Sequence, residues 1–92
     1  MVYLITYDLN SPGQNYDDVI QAIKDASTGA WCTFWKSSYL IKSTYTNAND
    51  VFAKIKPHLD KNDTALVIEV KNNKQGWLKK EDWDYIDNHI FR

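Results

Sequence analysis

Two near-continuous apolar strands, two segments with helical periodicity and one aromatic hairpin follow each other in the order β-α-β-β-α-β. That order predicts an α+β fold, a ferredoxin-like split βαβ sandwich. Behind it, a polar loop and apolar residues at helical spacing predict a C-terminal helical extension. The expected division is a domain over residues 1–70 and a loop plus short helix over 71–92, packed on the same domain or on a dimer mate. The chain has 92 residues, enough for one domain. A chain of this size buries a real core, with a narrow margin of stability. Its 4 Trp, 6 Tyr and 3 Phe supply much of the area to be buried. A four-stranded sheet with helices on one side leaves its other face bare, so a homodimer is expected.

Residues 2–9 are β-branched, aromatic or aliphatic up to Asp8. Val2, Leu4 and Thr6 point one way; Tyr3, Ile5, Tyr7 and Leu9 point the other. Apolar residues on both sides mark a central strand covered on both faces. Asp8 falls at its C-terminal end, on the Val2 side. Ser11-Pro12-Gly13 reads as a turn and Asn15 as a helix N-cap. Asp17 and Asp18 suit the positive end of a helix whose apolar stripe is Val19, Ile20, Ile23 and Ala26. Ser27-Thr28-Gly29 ends it. Residues 30–36 and 39–45 alternate as strands around a tight Lys36-Ser37-Ser38 turn, with Trp31, Thr33 and Trp35 expected on one face. Residues 46–49 cap a second helix carrying Val51, Phe52, Ile55 and Leu59. Pro57 should end or bend it near Lys56. Residues 60–63 are a turn, and 64–70 form the second apolar strand. Trp77, Trp83, Ile86 and Ile90 then recur at roughly helical spacing, with a helix expected over 80–90.

The charge balance narrows the function. There are 11 basic and 12 acidic residues, for a net −1, and only Arg92 among the basic ones is Arg. Non-specific nucleic-acid binders usually carry a basic excess, and bidentate reading of guanine edges favours Arg. Both points argue against sequence-specific base reading and leave Lys–phosphate contact open. One cysteine, Cys32, allows no internal disulfide and no thiolate metal cluster. The chain opens MVYLITYD, unlike a secretory leader, and contains no run of membrane-spanning length. The expectation is a soluble, cytoplasmic protein without a membrane partner.

Asp8 is the leading candidate for chemistry. A carboxylate just beyond a strand end can hold Mg²⁺, with water and substrate phosphate filling the remaining positions. Two copies across a dimer axis would make a fuller site. The same residue can instead accept N–H bonds from residues 10–13 as an Asx-turn. Both readings stand at this level. Asn10, Ser11 and Gln14 are candidates to line the site and are equally ordinary turn residues. Trp31, Phe34, Trp35, Tyr39 and Tyr45 crowd the hairpin, with Lys36 and Lys42 among them. Aromatics interleaved with Lys on an open sheet stack bases in RNA-binding domains; they serve equally as a protein interface. His58 and His89 each sit at a helix end, without a second ligand at metal-binding spacing. Cys32 reads as a small core residue.

The strand ending YDLN, the loop SPGQNYDD, the hairpin W…SSYLIKS and the segment KPHLDKNDTALVIEV together resemble a family of small bacterial and phage proteins related to the CRISPR-associated protein Cas2, also described as SinR-like. The resemblance covers about residues 1–70. It implies a ferredoxin-like fold and a homodimer made by joining two sheets. It also implies a role for Asp8, facing its mate across the dimer cleft in metal-dependent cleavage of RNA or DNA. Ser38 resembles the small polar residue that these proteins carry before their third strand. The chain departs from the family in having no Arg in the first helix or around the second strand. Two functions are therefore expected. One is a Mg²⁺-dependent endoribonuclease or nuclease in which paired Asp8 holds the ion while Ser38, Asn10 and nearby Lys orient phosphate. The other is a non-catalytic dimeric module, of the phage-inhibitor or antitoxin-regulator kind, that docks a protein or RNA through Trp31, Trp35, Lys36 and Lys42.

Overall fold

The computed structural model describes residues 1–10 and 16–92. The expected turn at Ser11-Pro12-Gly13, the Asn15 cap and Gln14 lie outside the described residues. The chain folds as an α+β structure: β1 (Val2–Asp8), α1 (Tyr16–Ala26), β2 (Trp31–Trp35), β3 (Ser38–Lys42), α2 (Ala48–Ile55), β4 (Thr64–Val70) and α3 (Lys80–Tyr85). The four strands form one sheet in the order β2-β3-β1-β4, each antiparallel to its neighbour.

Strand alternation sends Tyr3, Ile5 and Tyr7 to one face of β1, where they are buried under α1 and α2. Val19, Ala22, Ile23 and Ala26 of α1 and Val51 and Ile55 of α2 close that core. Each fully buried Ile or Val side chain contributes about 1.5–3 kcal/mol. Asn47 caps α2 by accepting the Asp50 N–H at 2.9 Å. The helix tightens after Ile55 into a single 3₁₀ turn, Lys56–His58, as Pro57 demands.

Three boundaries differ from the sequence reading. β3 ends at Lys42 rather than Tyr45, because hydroxyls take over the ladder there. The buried Ser43 Oγ donates to the Ala26 carbonyl at 2.8 Å and accepts the Tyr45 N–H at 3.1 Å. Thr28 Oγ1 accepts the Thr44 N–H at 2.6 Å, so the chain turns toward the end of α1. In β2 the register shifts between Cys32 and Trp35. Thr33 Oγ1 lies 2.7 Å from the Ser38 carbonyl and 2.8 Å from the Trp35 carbonyl, with its one proton shared between them, a side chain standing in for the ladder. This irregularity breaks the expected alternation. Trp31 pairs with Ile41 on the helix side, whereas Trp35 pairs with Ser38 on the outer side. Finally, the helix expected over 80–90 is two pieces, α3 and one wider π-type turn over Ile86–Ile90.

The C-terminal segment packs on its own sheet. Ile86 and Ile90 bury Cys32 on the outer face, with Phe34, Leu40 and Phe91 around them. The Tyr85 hydroxyl donates to the Trp31 carbonyl at 3.0 Å, and Lys74 pairs with Asp87 at 2.8 Å. This lid covers the β2–β3 half of the outer face. The β4 half stays open: Leu66 is 57% and Ile68 47% exposed. β4 is an edge strand, with no neighbour on its far side among the described residues.

Candidate functional site

Asp8 is the last residue of β1, paired with Thr64 of β4. Its position in the alternation places it on the open outer face, in line with Thr6. Its side chain is exposed and borders a shallow depression of about 210 Å³ shared with Thr6, Thr64 and Leu66. Among the described residues it accepts no hydrogen bond. The Asn10 N–H, which an Asx-turn at Asp8 would engage, goes instead to Asp63 Oδ1 at 2.9 Å. Asp63 Oδ2 also accepts the Asp60 N–H at 2.7 Å. One carboxylate thus ties the loop after β1 to the turn before β4, and Asp8 remains beside it, facing solvent.

Ser38 lies on the same face one register step inward, opposite Thr6. Its hydroxyl donates to Thr6 Oγ1 at 3.1 Å, and Thr6 Oγ1 donates to the Ser37 carbonyl at 3.4 Å. Asp8, Thr6 and Ser38 therefore gather at one end of the open face. The hairpin turn that carries Lys36 is at this end too, held by the Tyr7 N–H on the Ser37 carbonyl at 3.1 Å. Asn10 is exposed nearby.

Other candidates go elsewhere. Lys42 pairs with Val2 at the opposite end of the sheet, and its ammonium donates to the Arg92 carbonyl at 2.7 Å. Trp31 packs on the helix side against Tyr39, with Lys24 Nζ 4.5 Å from its ring centre. Trp35 lies on the outer face, half exposed, edge-on to Phe34 at 5.4 Å. The aromatic hairpin is thus divided between two faces instead of forming one platform.

Two buried groups, Cys32 and Tyr7, hold their protons tightly. Burial, and secondarily the charge of Asp82, pushes the Cys32 thiol up to about 11, which removes the thiolate a nucleophile needs. Burial also raises Tyr7 to about 12, with Tyr39 and Tyr16 adding to the effect. Its buried hydroxyl has no hydrogen-bond partner among the described residues. His89 packs on the Tyr85 ring, with centres 4.7 Å apart.

Could this end of the face hold Mg²⁺? The donors available are hard oxygens: the free Asp8 carboxylate and the hydroxyls of Thr6 and Thr64. Mg²⁺ accepts such donors while keeping several waters. Among the described residues no three His, Cys, Asp or Glu side chains gather at one point. Asp8 is the one carboxylate lining this depression among the described residues.

Sequence reasoning missed the most exposed aromatic. Trp77 reads as part of a helical stripe, yet it sits in the loop before α3 and is 99% exposed. It borders a groove of about 420 Å³ between that loop and the outer face, together with Trp35 and Trp83. The available signal was its place ahead of the helix expected over 80–90, which does begin at Lys80. Compared with protein-family models, with curated proteins and with solved structures, the chain matches none. Among the described residues no helix is long and apolar enough to cross a membrane.

Proposed function

We propose that this chain is a Cas2-like, nucleic-acid-associated protein that works as a homodimer, and that paired Asp8 carboxylates support Mg²⁺-dependent cleavage of RNA. The observation that carries this reading is the position of Asp8. It is exposed, and unpaired among the described residues, at the end of a sheet face whose adjoining strip, Leu66 and Ile68, is uncovered. The strand order supports the ferredoxin-like assignment, since β1 and β3 are central and β2 and β4 are edges. A second copy laid across the uncovered strip would bury it and set the two Asp8 residues near the two-fold axis. The bound ion would stabilise charge developing on the phosphate and activate water. Asp8 holds it, and the exposed Lys36 on the adjacent turn attracts the phosphodiester.

A second reading is a non-catalytic dimeric module that docks RNA or a protein. The exposed indoles of Trp35 and Trp77 favour it, because uncovered aromatics of this size mark binding surfaces. One experiment separates the two. Sedimentation establishes the dimer, and cleavage of a labelled single-stranded RNA is followed with and without Mg²⁺. Asp8→Asn should keep the dimer and lose cleavage by at least 100-fold, the usual scale for removing a group that stabilises developing charge. Undiminished cleavage by that variant excludes the catalytic assignment.

A further inference from the structure

We propose that the groove beside β1 binds one base of a single-stranded nucleic acid, stacked on Trp77, with the adjoining phosphate held by Lys71. The inference rests on the nucleic-acid partner of the preceding reading and is independent of any chemistry at Asp8.

Three observations converge. The first is size and lining. At about 420 Å³ the groove falls in the range of small-ligand sites. Three of the four Trp residues border it, and two, Trp77 and Trp35, are uncovered. An indole left in water is costly unless a partner covers it, and every base offers a π-face to do so. The second is charge. The lining includes Lys71 and Lys74 and not one Asp or Glu, although the chain as a whole is net −1. Lys74 is already engaged, by Asp87 at 2.8 Å and over the Phe91 ring at 4.8 Å. Lys71 is exposed and makes no ion pair among the described residues, so it is the cation left for a phosphate. The third is polar reach. Asn73 and Gln75 bring side-chain amides to the rim. Gln75 Oε1 accepts the Gly76 N–H at 2.9 Å, which leaves its amide N–H groups for a base edge.

The same facts argue against a second copy in the groove. A two-fold contact opposes a patch to itself. Here that would set Lys71 against Lys71, the groove lysine that has no ion-pair partner among the described residues. The Leu66–Ile68 strip, which carries no charge, is the better surface for a copy.

The test uses the full chain and a short, fluorescently labelled oligouridylate, read by anisotropy at low salt with divalent cations chelated. Chelation keeps binding separate from cleavage. Trp77→Ala should weaken binding by roughly 5- to 150-fold, the effect of losing one stacked base. Trp77→Phe should recover most of it. Lys71→Ala should lower the slope of log affinity against log salt by about 0.7, the value of one single-strand phosphate contact. Trp77 makes no core contact, so circular dichroism and the denaturation midpoint should not move. Three results would overturn the proposal: no binding of the oligonucleotide by the wild type at millimolar concentration, unchanged affinity in Trp77→Ala, or a Trp77→Ala protein that falls from dimer to monomer while still binding RNA. The last places a second copy in the groove. Loss of binding in Trp77→Ala, with cleavage unaffected by Asp8→Asn, would keep the groove and remove only the catalytic reading.

Discussion

Removing Ile90 tests whether the C-terminal lid is a separate unit laid over Cys32. Ile90 is 0% exposed and packs, with Ile86, on the buried thiol. Ile90→Ala deletes buried carbons and leaves a cavity, at a cost of about 2–5 kcal/mol. The whole fold has roughly 5–14 kcal/mol to lose at this length. The lid is tied down by two buried Ile, the partly buried Leu78, Tyr85 and Phe91, the Tyr85 hydroxyl, the Lys42–Arg92 contact and the Lys74–Asp87 pair, against twelve buried residues in the helix-side core. It should therefore open locally before the sheet unfolds. The assay is the rate at which a chromogenic aromatic disulfide labels Cys32. When labelling goes through a fast opening equilibrium, the rate follows that equilibrium, tenfold for each 1.4 kcal/mol. Even the lower figure of about 2 kcal/mol predicts roughly 30-fold faster labelling. Ile23→Ala is the control, since Ile23 is equally buried but lies in the helix-side core. It should lower the denaturation midpoint similarly and accelerate labelling far less. Equal acceleration in both variants, or none in Ile90→Ala, would show that Cys32 is reached only by global unfolding, and the separate lid would have to be abandoned.

Two further predictions concern single buried groups. Ser43→Ala orphans the Ala26 carbonyl and the Tyr45 N–H, and should cost about 1–3 kcal/mol in urea denaturation. Tyr7→Phe removes a buried hydroxyl that has no partner among the described residues, and should leave neutral-pH stability unchanged or slightly raised. Its effect should appear at alkaline pH. The folded state holds the Tyr7 proton up to about 12, whereas an unfolded tyrosine releases it near 10.0. Between those values the unfolded chain binds fewer protons, so wild-type stability falls as pH rises. The Phe variant should flatten that decline, and denaturation midpoints from pH 9 to 12 would reveal a failure as two parallel curves.

The elements were legible because local and tertiary preferences agree in them. The inward row Tyr3, Ile5 and Tyr7 and the stripe Val19, Ile23 and Ala26 bury the residues their spacing selects. Pro57 ends α2 where its missing N–H requires. What was not legible depends on contacts distant in sequence. The register shift in β2 comes from Thr33 reaching Ser38, and it reverses the face of Trp35 relative to Trp31. Alternation within residues 30–36 carries no sign of it. In the same way, an apolar run such as 64–70 reads alike whether its outer face meets a helix or nothing. The site was visible only in part. Asp8 at a strand end is a local feature, but among the described residues the Asn10 N–H goes to Asp63, more than fifty positions away, and not to Asp8.

The lid also restricts where the proposed second copy and nucleic acid would sit. It closes the β2–β3 half of the outer face with its own Ile86 and Ile90 and holds Trp83 and Trp77 at its leading edge. What remains open is a band along β1 and β4, uncharged at Leu66 and Ile68 and ending in the Asp8 carboxylate. Lys71 follows directly on β4 at the other end of this band, beyond Val70, which pairs with Val2. The band therefore has an anionic end suited to a cation and a cationic end suited to phosphate. A strand of RNA anchored by a base on Trp77 would run along the β4 edge toward Asp8, because the lid blocks the other direction. Two copies joined over Leu66 and Ile68 would place the anchoring grooves outside the shared carboxylates. In that arrangement binding and cleavage belong to separate residues, so Trp77 and Asp8 substitutions should act independently, with effects on affinity and on rate that add when combined.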